Sequence, residues 1–259
     1  MDELPAARRE RLAALVAADG FVRVTDAAAR LGVSEVTLRG DLSRLESDGR
    51  VRRVHGGAMT VRGERREASV EATARRDAAI KRAIGREAAA LVRDGSSILL
   101  DVGSTALAVA EALVARDELG ELVVVTNGLG IALALEVAIP RFTVVVTGGT
   151  LRPLQHSLVD PIASRTLAEL HVDLAIIGCN GVDDEGVVTN LNLPEAEVKR
   201  AMLGRATSSV LIADGSKAGQ RHLGRIGTLA DFAAVVTGGE GATRLASAAN
   251  DAASRAIIA

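Results

Sequence analysis

Three stretches of this sequence place small or polar residues directly after an apolar run: ILLDVGST (98–105), LVVVTNG (122–128) and FTVVVTGGTLR (142–152). A strand that ends in such residues before a helix turns backbone N–H groups toward the positive end of the helix dipole, which suits a phosphate. In the first stretch Gly103, Ser104 and Thr105 follow Asp101; the second offers Thr126 and Asn127, the third Gly148, Gly149 and Arg152. One such turn alone is equally well explained as a plain strand-to-helix connection. Three in succession point to a shared anion pocket, because ligands of open α/β sheets collect at the carboxyl ends of the strands. Further along, IIGCNGVDDEGVVTNLNLPEAEVKRAM and LIADGSK add Asn180, Glu195, Lys199, Asp214 and Lys217. Each has a plainer alternative. Asp101 and Asp214 suit strand-end caps, Asn180 a turn, and Lys199 with Glu195 an exposed i, i+4 helix pair.

A second chemistry is carried by SEVTLRGDLSRLESDGRVRRVHGGA, residues 34–58. Ser34 is an N-cap, Leu38, Leu42 and Leu45 recur at i, i+4 and i+7, and Gly49 stops the helix. At about 100° per residue, Val36, Gly40, Ser43 and Ser47 point away from that leucine face, flanked by Thr37, Arg39 and Arg44. Gly40 is unexpected there, since glycine inside a helix costs roughly 1 kcal/mol relative to alanine. Beyond the helix, Arg50, Arg52, Arg53 and His55 make a basic ribbon suited to phosphate or a minor groove. A solvated hairpin would account for the ribbon alone, but not for its place directly after a capped helix.

Other chemistries find little support. The single cysteine, Cys179, excludes an intramolecular disulfide, and after a buried strand it fits a small apolar filler. His55, His156, His171 and His222 are scattered, with no metal-ligand spacing, and His156 fits a surface loop. No GxSxG motif occurs, and no metal or cofactor is expected.

The elements that must position these residues fall into two groups. Pro5 opens a first helix with Leu12, Leu15 and Val16 as its stripe and Gly20 at its end. Thr25 is placed to cap a short second helix that runs to Leu31, and Gly32 makes the turn before Ser34. Strands are expected at 98–102, 122–126, 142–146, 174–178, 209–213 and 233–237. Helices are expected near 77–93, 105–115, 129–137, 161–170 and 195–207. Near-continuous apolar strands alternating with helices mean a mostly parallel sheet covered on both faces. The fold class is therefore α/β: an N-terminal winged helix-turn-helix over residues 1–58, a linker over 59–76 and a mostly parallel, Rossmann-like α/β domain over 77–259. A net charge of −2 confines any nucleic-acid binding to a local patch. No apolar run is long enough to span a bilayer and the N-terminus lacks a signal-peptide pattern, so a cytoplasmic, membrane-free protein is expected. The chain has no Trp or Tyr, and its cations are arginine apart from Lys81, Lys199 and Lys217. A lysine kept against that bias points to a site needing a compact ammonium.

The segment VSEVTLRGDLSRLESDGRVRRVHGGA resembles the N-terminal signature of the DeoR family of bacterial transcription regulators. The EA-x-VK and D-x-SK segments resemble its sensor half, in the same order along nearly the whole chain. The resemblance implies a ribose-5-phosphate-isomerase-like sensor that binds a phosphorylated sugar or related metabolite and thereby alters binding to double-stranded operator DNA. It implies a repressor of a carbohydrate-metabolism operon acting as a homo-oligomer. Ser34, Thr37, Arg39, Gly40, Arg44, Arg52, Arg53 and His55 would meet DNA. Asp101, Gly103, Ser104, Thr105, Thr126, Asn127, Gly148, Gly149, Arg152, Asn180, Glu195, Lys199 and Lys217 would meet the effector. Two departures stand out: family members usually carry a second arginine where this chain has Gly40, and many have glycine at Asp160. The competing expectation is a sugar-phosphate isomerase with an N-terminal helical appendage, using Asp101, Glu195 or Asp214 as general base.

Overall fold

The computed structural model describes residues 5–19, 21–48, 50–54, 56–59 and 69–259. The expectations placed on Gly20, Gly49, His55 and residues 60–68 of the stretch 59–76 lie outside these residues. The chain divides into two compact units, Met1–Arg66 and Glu67–Ala259.

The first unit contains α1 (Pro5–Asp19), β1 (Phe21–Arg23), α2 (Val24–Leu31), α3 (Glu35–Ser47), β2 (Arg52–Val54) and β3 (Gly57–Met59). Its strands form a small antiparallel sheet in the order β1-β3-β2. Leu12 and Val16 of α1 meet Leu38, Leu42 and Leu45 of α3 and Val51 in one core. Gly32 takes φ 67° at the end of α2, the left-handed turn that glycine closes without strain. Ser34 caps α3 as its sequence implies, its hydroxyl accepting the Thr37 N–H at 3.1 Å. Thr25 does not cap α2. The helix begins two residues earlier, at Val24 with Arg23 as its N-cap, and the Thr25 hydroxyl turns to the Asp26 carboxylate instead. Asp41, buried on the inner side of α3, receives the Arg8 guanidinium at 2.6 Å and so ties α3 to α1.

The second unit begins with two helices, α4 (Val70–Arg75) and α5 (Ala78–Ala90). The strands of its central sheet are β4 (Ser97–Leu100), β5 (Leu122–Thr126), β6 (Phe142–Val146), β9 (Val172–Gly178), β12 (Ala206–Asp214), β14 (Ala234–Gly238) and β15 (Arg255–Ile258). All seven run parallel in the order β15-β14-β12-β9-β4-β5-β6. The intervening helices are α6 (Ser104–Val114), α7 (Leu129–Leu135), α8 (Ile162–Ala168), α9 (Leu193–Leu203) and α10 (Ala242–Asp251). Because successive side chains of a strand face opposite ways, β4 sends Ile98 and Leu100 to one core and Leu99 to the other. The first core is closed by α5, α6 and α7, the second by α8, α9 and α10. Where α5 crosses α6, Gly85 allows contact so close that a Cβ would lie 2.6 Å from the Ala108 carbonyl group.

The chain builds outward from β4 through β5 to β6, then returns to lay β9 on the other side of β4. That reversal opens a crevice at the carboxyl ends of β4 and β9, where such sheets place ligands. Short strands that periodicity does not reveal surround it. The hairpin of β7 (Thr150–Arg152) and β8 (Ser157–Val159) follows β6, and an antiparallel sheet of β10 (Gly181–Val182), β11 (Val187–Asn190) and β13 (Gly224–Thr228) follows β9 and β12. The helix α4 falls within the stretch expected as linker; its Val70 N–H donates to the Leu154 carbonyl at 2.9 Å, which fixes it to the second unit. Among the described residues, no helix is long and apolar enough to cross a membrane.

Candidate functional site

The crevice is built around a buried row of charges. Asp101, fully buried just beyond β4, accepts the Gly178 N–H from the end of β9 at 2.9 Å and pairs with the Lys199 ammonium through the same oxygen. Its other oxygen, Oδ1, is buried and meets no hydrogen-bond donor among the described residues. Burial pushes the Asp101 carboxyl above its ordinary range, and Lys199 opposes that only in part. Burial also works against the Lys199 charge, but the fields of Asp101 and Glu195 together hold its ammonium above the usual lysine value.

One turn earlier on α9, Glu195 pairs with Arg152 of β7 and accepts hydrogen bonds from the Ser157 hydroxyl at 2.5 Å and the Asn190 amide at 3.3 Å. An exposed Glu195–Lys199 pair therefore does not form. Both side chains are buried, each with partners from other elements. The spacing of four residues instead lets one helix face place a carboxylate and an ammonium side by side under the strand ends. Asn192 makes this possible by capping α9, its Oδ1 accepting the Glu195 N–H at 3.1 Å.

At the next strand end the Thr126 hydroxyl accepts the Gly128 N–H at 3.0 Å. The Asn127 amide donates to the Leu158 carbonyl at 3.2 Å, while its Oδ1, like that of Asp101, is buried without a donor among the described residues. Gly103 stands at the N-cap of α6 with φ 119°, followed by the half-buried Ser104 and Thr105 in the first turn. Gly149, at φ 129°, is pressed against Val159, whose carbonyl oxygen a Cβ would overlap. Gly148 is also left-handed, at φ 71°. Asn180 ties the β9–β10 connection to the end of β11, its Oδ1 accepting the Leu191 N–H at 2.8 Å. Asp214 caps the turn that follows β12, accepting the Ser216 N–H at 3.1 Å, and Lys217 lies 3.7 Å from it. Cys179 is pushed up to about 12 by burial, against the lowering fields of Lys217 and Lys199; it is a filler rather than a nucleophile. Asp160 turns to its own helix, its carboxylate accepting the Ser164 N–H at 3.3 Å.

Ser157 and Asn190 belong to this network and were not singled out by sequence, because both sit on short strands without a recognisable pattern. Lys81 also takes a different role from the other two lysines. Its buried ammonium donates to the Thr73 carbonyl and, at 2.7 Å, to the Arg76 carbonyl, closing the end of α4. The far side of α4 helps enclose a pocket of about 200 Å³, where Val70, Glu71 and Ala74 face Gly103, Leu107 and His156. His156, at φ 50°, approaches the Glu71 carboxylate at 3.4 Å. Among the described residues no group of three His, Cys, Asp or Glu could hold a metal ion.

In the first unit α3 presents Val36, Thr37, Arg39, Gly40, Ser43, Arg44 and Ser47 to solvent, opposite Leu38, Asp41, Leu42 and Leu45. Arg39 pairs with Glu35 at 2.8 Å. Arg53 of β2 reaches the Ser43 hydroxyl at 2.6 Å, and its N–H donates to Glu46 at 2.8 Å, which fixes the strand against the helix. Arg50 is held by Glu10 at 2.8 Å. Arg52 is the first residue of β2.

A winged helix-turn-helix followed by a parallel α/β domain with a polar crevice at its switch point is the architecture of a ligand-responsive transcription regulator. Residues 8–63 match the DeoR-like helix-turn-helix domain and residues 76–239 the DeoR C terminal sensor domain. The chain belongs to the DeoR family. It is 31% identical over 90% of its length to the regulator YulB of Bacillus subtilis, covering 89% of that protein. It is 30% identical over 89% of its length to the glycerol-3-phosphate regulon repressor of Haemophilus influenzae, covering 88% of it. The ribose 5-phosphate isomerase of Methanocaldococcus jannaschii matches 55% of each chain at 21% identity with a TM-score of 0.41.

Proposed function

We propose that this protein represses a carbohydrate-metabolism operon and that a phosphorylated sugar or related metabolite, bound at the β4–β9 crevice, modulates its grip on the operator. The observation that carries this reading is the pair of buried acceptor oxygens, Asp101 Oδ1 and Asn127 Oδ1, at adjacent strand ends. A buried acceptor without a donor is costly, and hydroxyl groups of a polyol would supply the donors. The first turn of α6, at Gly103, Ser104 and Thr105, would take the phosphate. The Haemophilus relative is named as the repressor of the glycerol-3-phosphate regulon, and glycerol 3-phosphate is a compound of this chemical kind.

Transmission to DNA requires an element that differs between the liganded and free states. The helix α4 fits that role, since it walls a pocket that includes Gly103 and stands at the start of the second unit. A helix-turn-helix reads paired half-sites, so the working form is a homo-oligomer with two-fold symmetry.

The test is fluorescence anisotropy with duplex DNA from upstream of the protein's own operon, at fixed salt with excess competitor. Glycerol 3-phosphate and a panel of aldose and ketose phosphates are then titrated in. Release by one of them, lost in Asp101→Asn, supports the reading. Specific binding that none of them alters would refute the effector half and leave the regulator.

A further inference from the structure

Val36 is the odd residue on the outer face of α3. It is 77% exposed, on a helix whose other apolar side chains are buried. Solvent gives an aliphatic side chain nothing, and no neighbouring apolar group covers it. The next residue along the same ridge, four positions on, is Gly40, where a Cβ would meet nothing within 4 Å. Val36 therefore stands beside a notch in the helix surface. Two of the long side chains around it are engaged: Arg39 with Glu35 at 2.8 Å, and Arg53 with Ser43 at 2.6 Å. What the centre of this face offers a base pair is a branched methyl surface, with Thr37 and Ser43 beside it, and room for close approach of the backbone.

The major groove exposes one apolar group, the C5 methyl of thymine. We propose that Val36 reads a thymine in each operator half-site by packing its methyl groups on that C5 methyl, with Gly40 as the notch that lets the helix come close enough. Gly40 is then a specificity device. A second arginine at this position would fill the notch and hold the helix away from the bases. The proposal rests on α3 being the DNA-reading helix, as expected for the family.

The experiment uses the full-length protein and duplexes that it selects from a random library. Each thymine of the selected site is replaced singly by deoxyuridine, which lacks only the methyl group, and affinity is measured by anisotropy at fixed salt. Wild type is expected to lose about fourfold at one thymine per half-site, the worth of one buried methyl. Val36→Ala should bind the parent site more weakly and show no further loss at that thymine, while keeping its response at other positions. Gly40→Ala should weaken binding to the selected site more than to a site carrying deoxyuridine at that thymine. Both substitutions are exposed and raise helix propensity, so the fold is expected to persist, and circular dichroism checks it. Equal deoxyuridine responses in wild type and Val36→Ala at every thymine would overturn the assignment, as would a site with no sensitive thymine. Failure to enrich any sequence would instead remove the DNA-reading role of α3, and the assignment with it.

Discussion

Replacing Lys199 by methionine tests whether the buried charge row is what holds the crevice together. The side chain keeps its approximate length and apolar stem and loses only the ammonium. Asp101, with no exposed surface, is left with backbone N–H groups alone, that of Gly178 at 2.9 Å and that of Val102 beside it. Removing one partner of a buried pair costs about 3–5 kcal/mol, because the remaining charge stays desolvated. Burial already raises the Asp101 carboxyl above its ordinary value with Lys199 present. Without the lysine it rises further, and the folded variant keeps its proton at a pH where the unfolded chain has lost it. Stability then falls as pH rises from the unfolded aspartate value toward the raised folded value, by up to about 1.4 kcal/mol per pH unit. The cost of Lys199→Met should therefore be smaller near pH 5 and larger near pH 8. Adding Asp101→Asn removes the stranded charge and should recover much of the loss. Urea unfolding followed by far-ultraviolet circular dichroism is the assay, since the chain has no Trp or Tyr to report by fluorescence. A cost below about 1 kcal/mol that does not vary with pH would refute the reasoning, as would a double variant in which the two losses add.

Gly85→Ala opposes two effects: helix propensity favours alanine by about 1 kcal/mol, but the new Cβ would lie 2.6 Å from the Ala108 carbonyl group. Overpacking of this kind costs roughly 1–3 kcal/mol, so thermal unfolding should move down; an upward shift would show that α5 and α6 separate freely. At the start of β4, the exposed Asp173 carboxylate accepts the Ser97 N–H at 2.8 Å and its hydroxyl at 2.7 Å, and these bonds hold its pKa below the ordinary value. Its contribution is present above the unfolded value and is lost as pH falls through the depressed one. Asp173→Asn should therefore lower Tm modestly at pH 7, with the gap to wild type closing in acid; a gap constant down to pH 3 would refute this. At the exposed Gly40 an added Cβ meets nothing within 4 Å, so Gly40→Arg should leave Tm nearly unchanged while shifting the preferred site. If the new guanidinium reaches a phosphate, the slope of log affinity against log salt should steepen by about 0.9; unchanged preference and slope would place Gly40 off the DNA.

The long apolar strands were legible because their runs of β-branched residues are nearly unbroken, so LVVVT at 122–126 coincides with β5 although Val123 is exposed, and FTVVV with the edge strand β6 although Val145 and Val146 are. The capping of α3 by Ser34 was legible because the cap and the leucine stripe are local signals. The hairpin β7–β8 and the sheet β10-β11-β13 were not, because they are two to five residues long and rich in Gly, Thr and Asn. Their pairing is set by the strand ends they surround rather than by their own periodicity. The same limit applies within the crevice. The spacing of Glu195 and Lys199 is visible in the sequence, but an exposed pair and a buried pair share that spacing. Which one forms depends on Asp101 and Arg152, 98 and 43 residues away from their partners. Asp41 was visible only as the residue after Gly40, and its burial against Arg8 depends on how α1 crosses α3.

The charge row also constrains what an effector can do on arrival. Arg152 faces Glu195 and Lys199 faces Asp101, so the four formal charges cancel within the protein before any ligand binds. An anionic ligand cannot take either cation outright without stranding a buried carboxylate, at a cost comparable to the 3–5 kcal/mol of a broken buried pair. On the proposed reading it gains more by placing its phosphate on the backbone N–H groups at the first turn of α6 and its hydroxyls on the buried acceptor oxygens of Asp101 and Asn127. The ligand would then be read chiefly by acceptors. Recognition by acceptors distinguishes a polyol phosphate from inorganic phosphate, which brings few donors at neutral pH. Inorganic phosphate at millimolar concentration should therefore leave operator binding unchanged where a phosphorylated polyol releases it. Equal release by both would mean that the helix terminus alone binds, and that the two buried oxygens find their donors elsewhere.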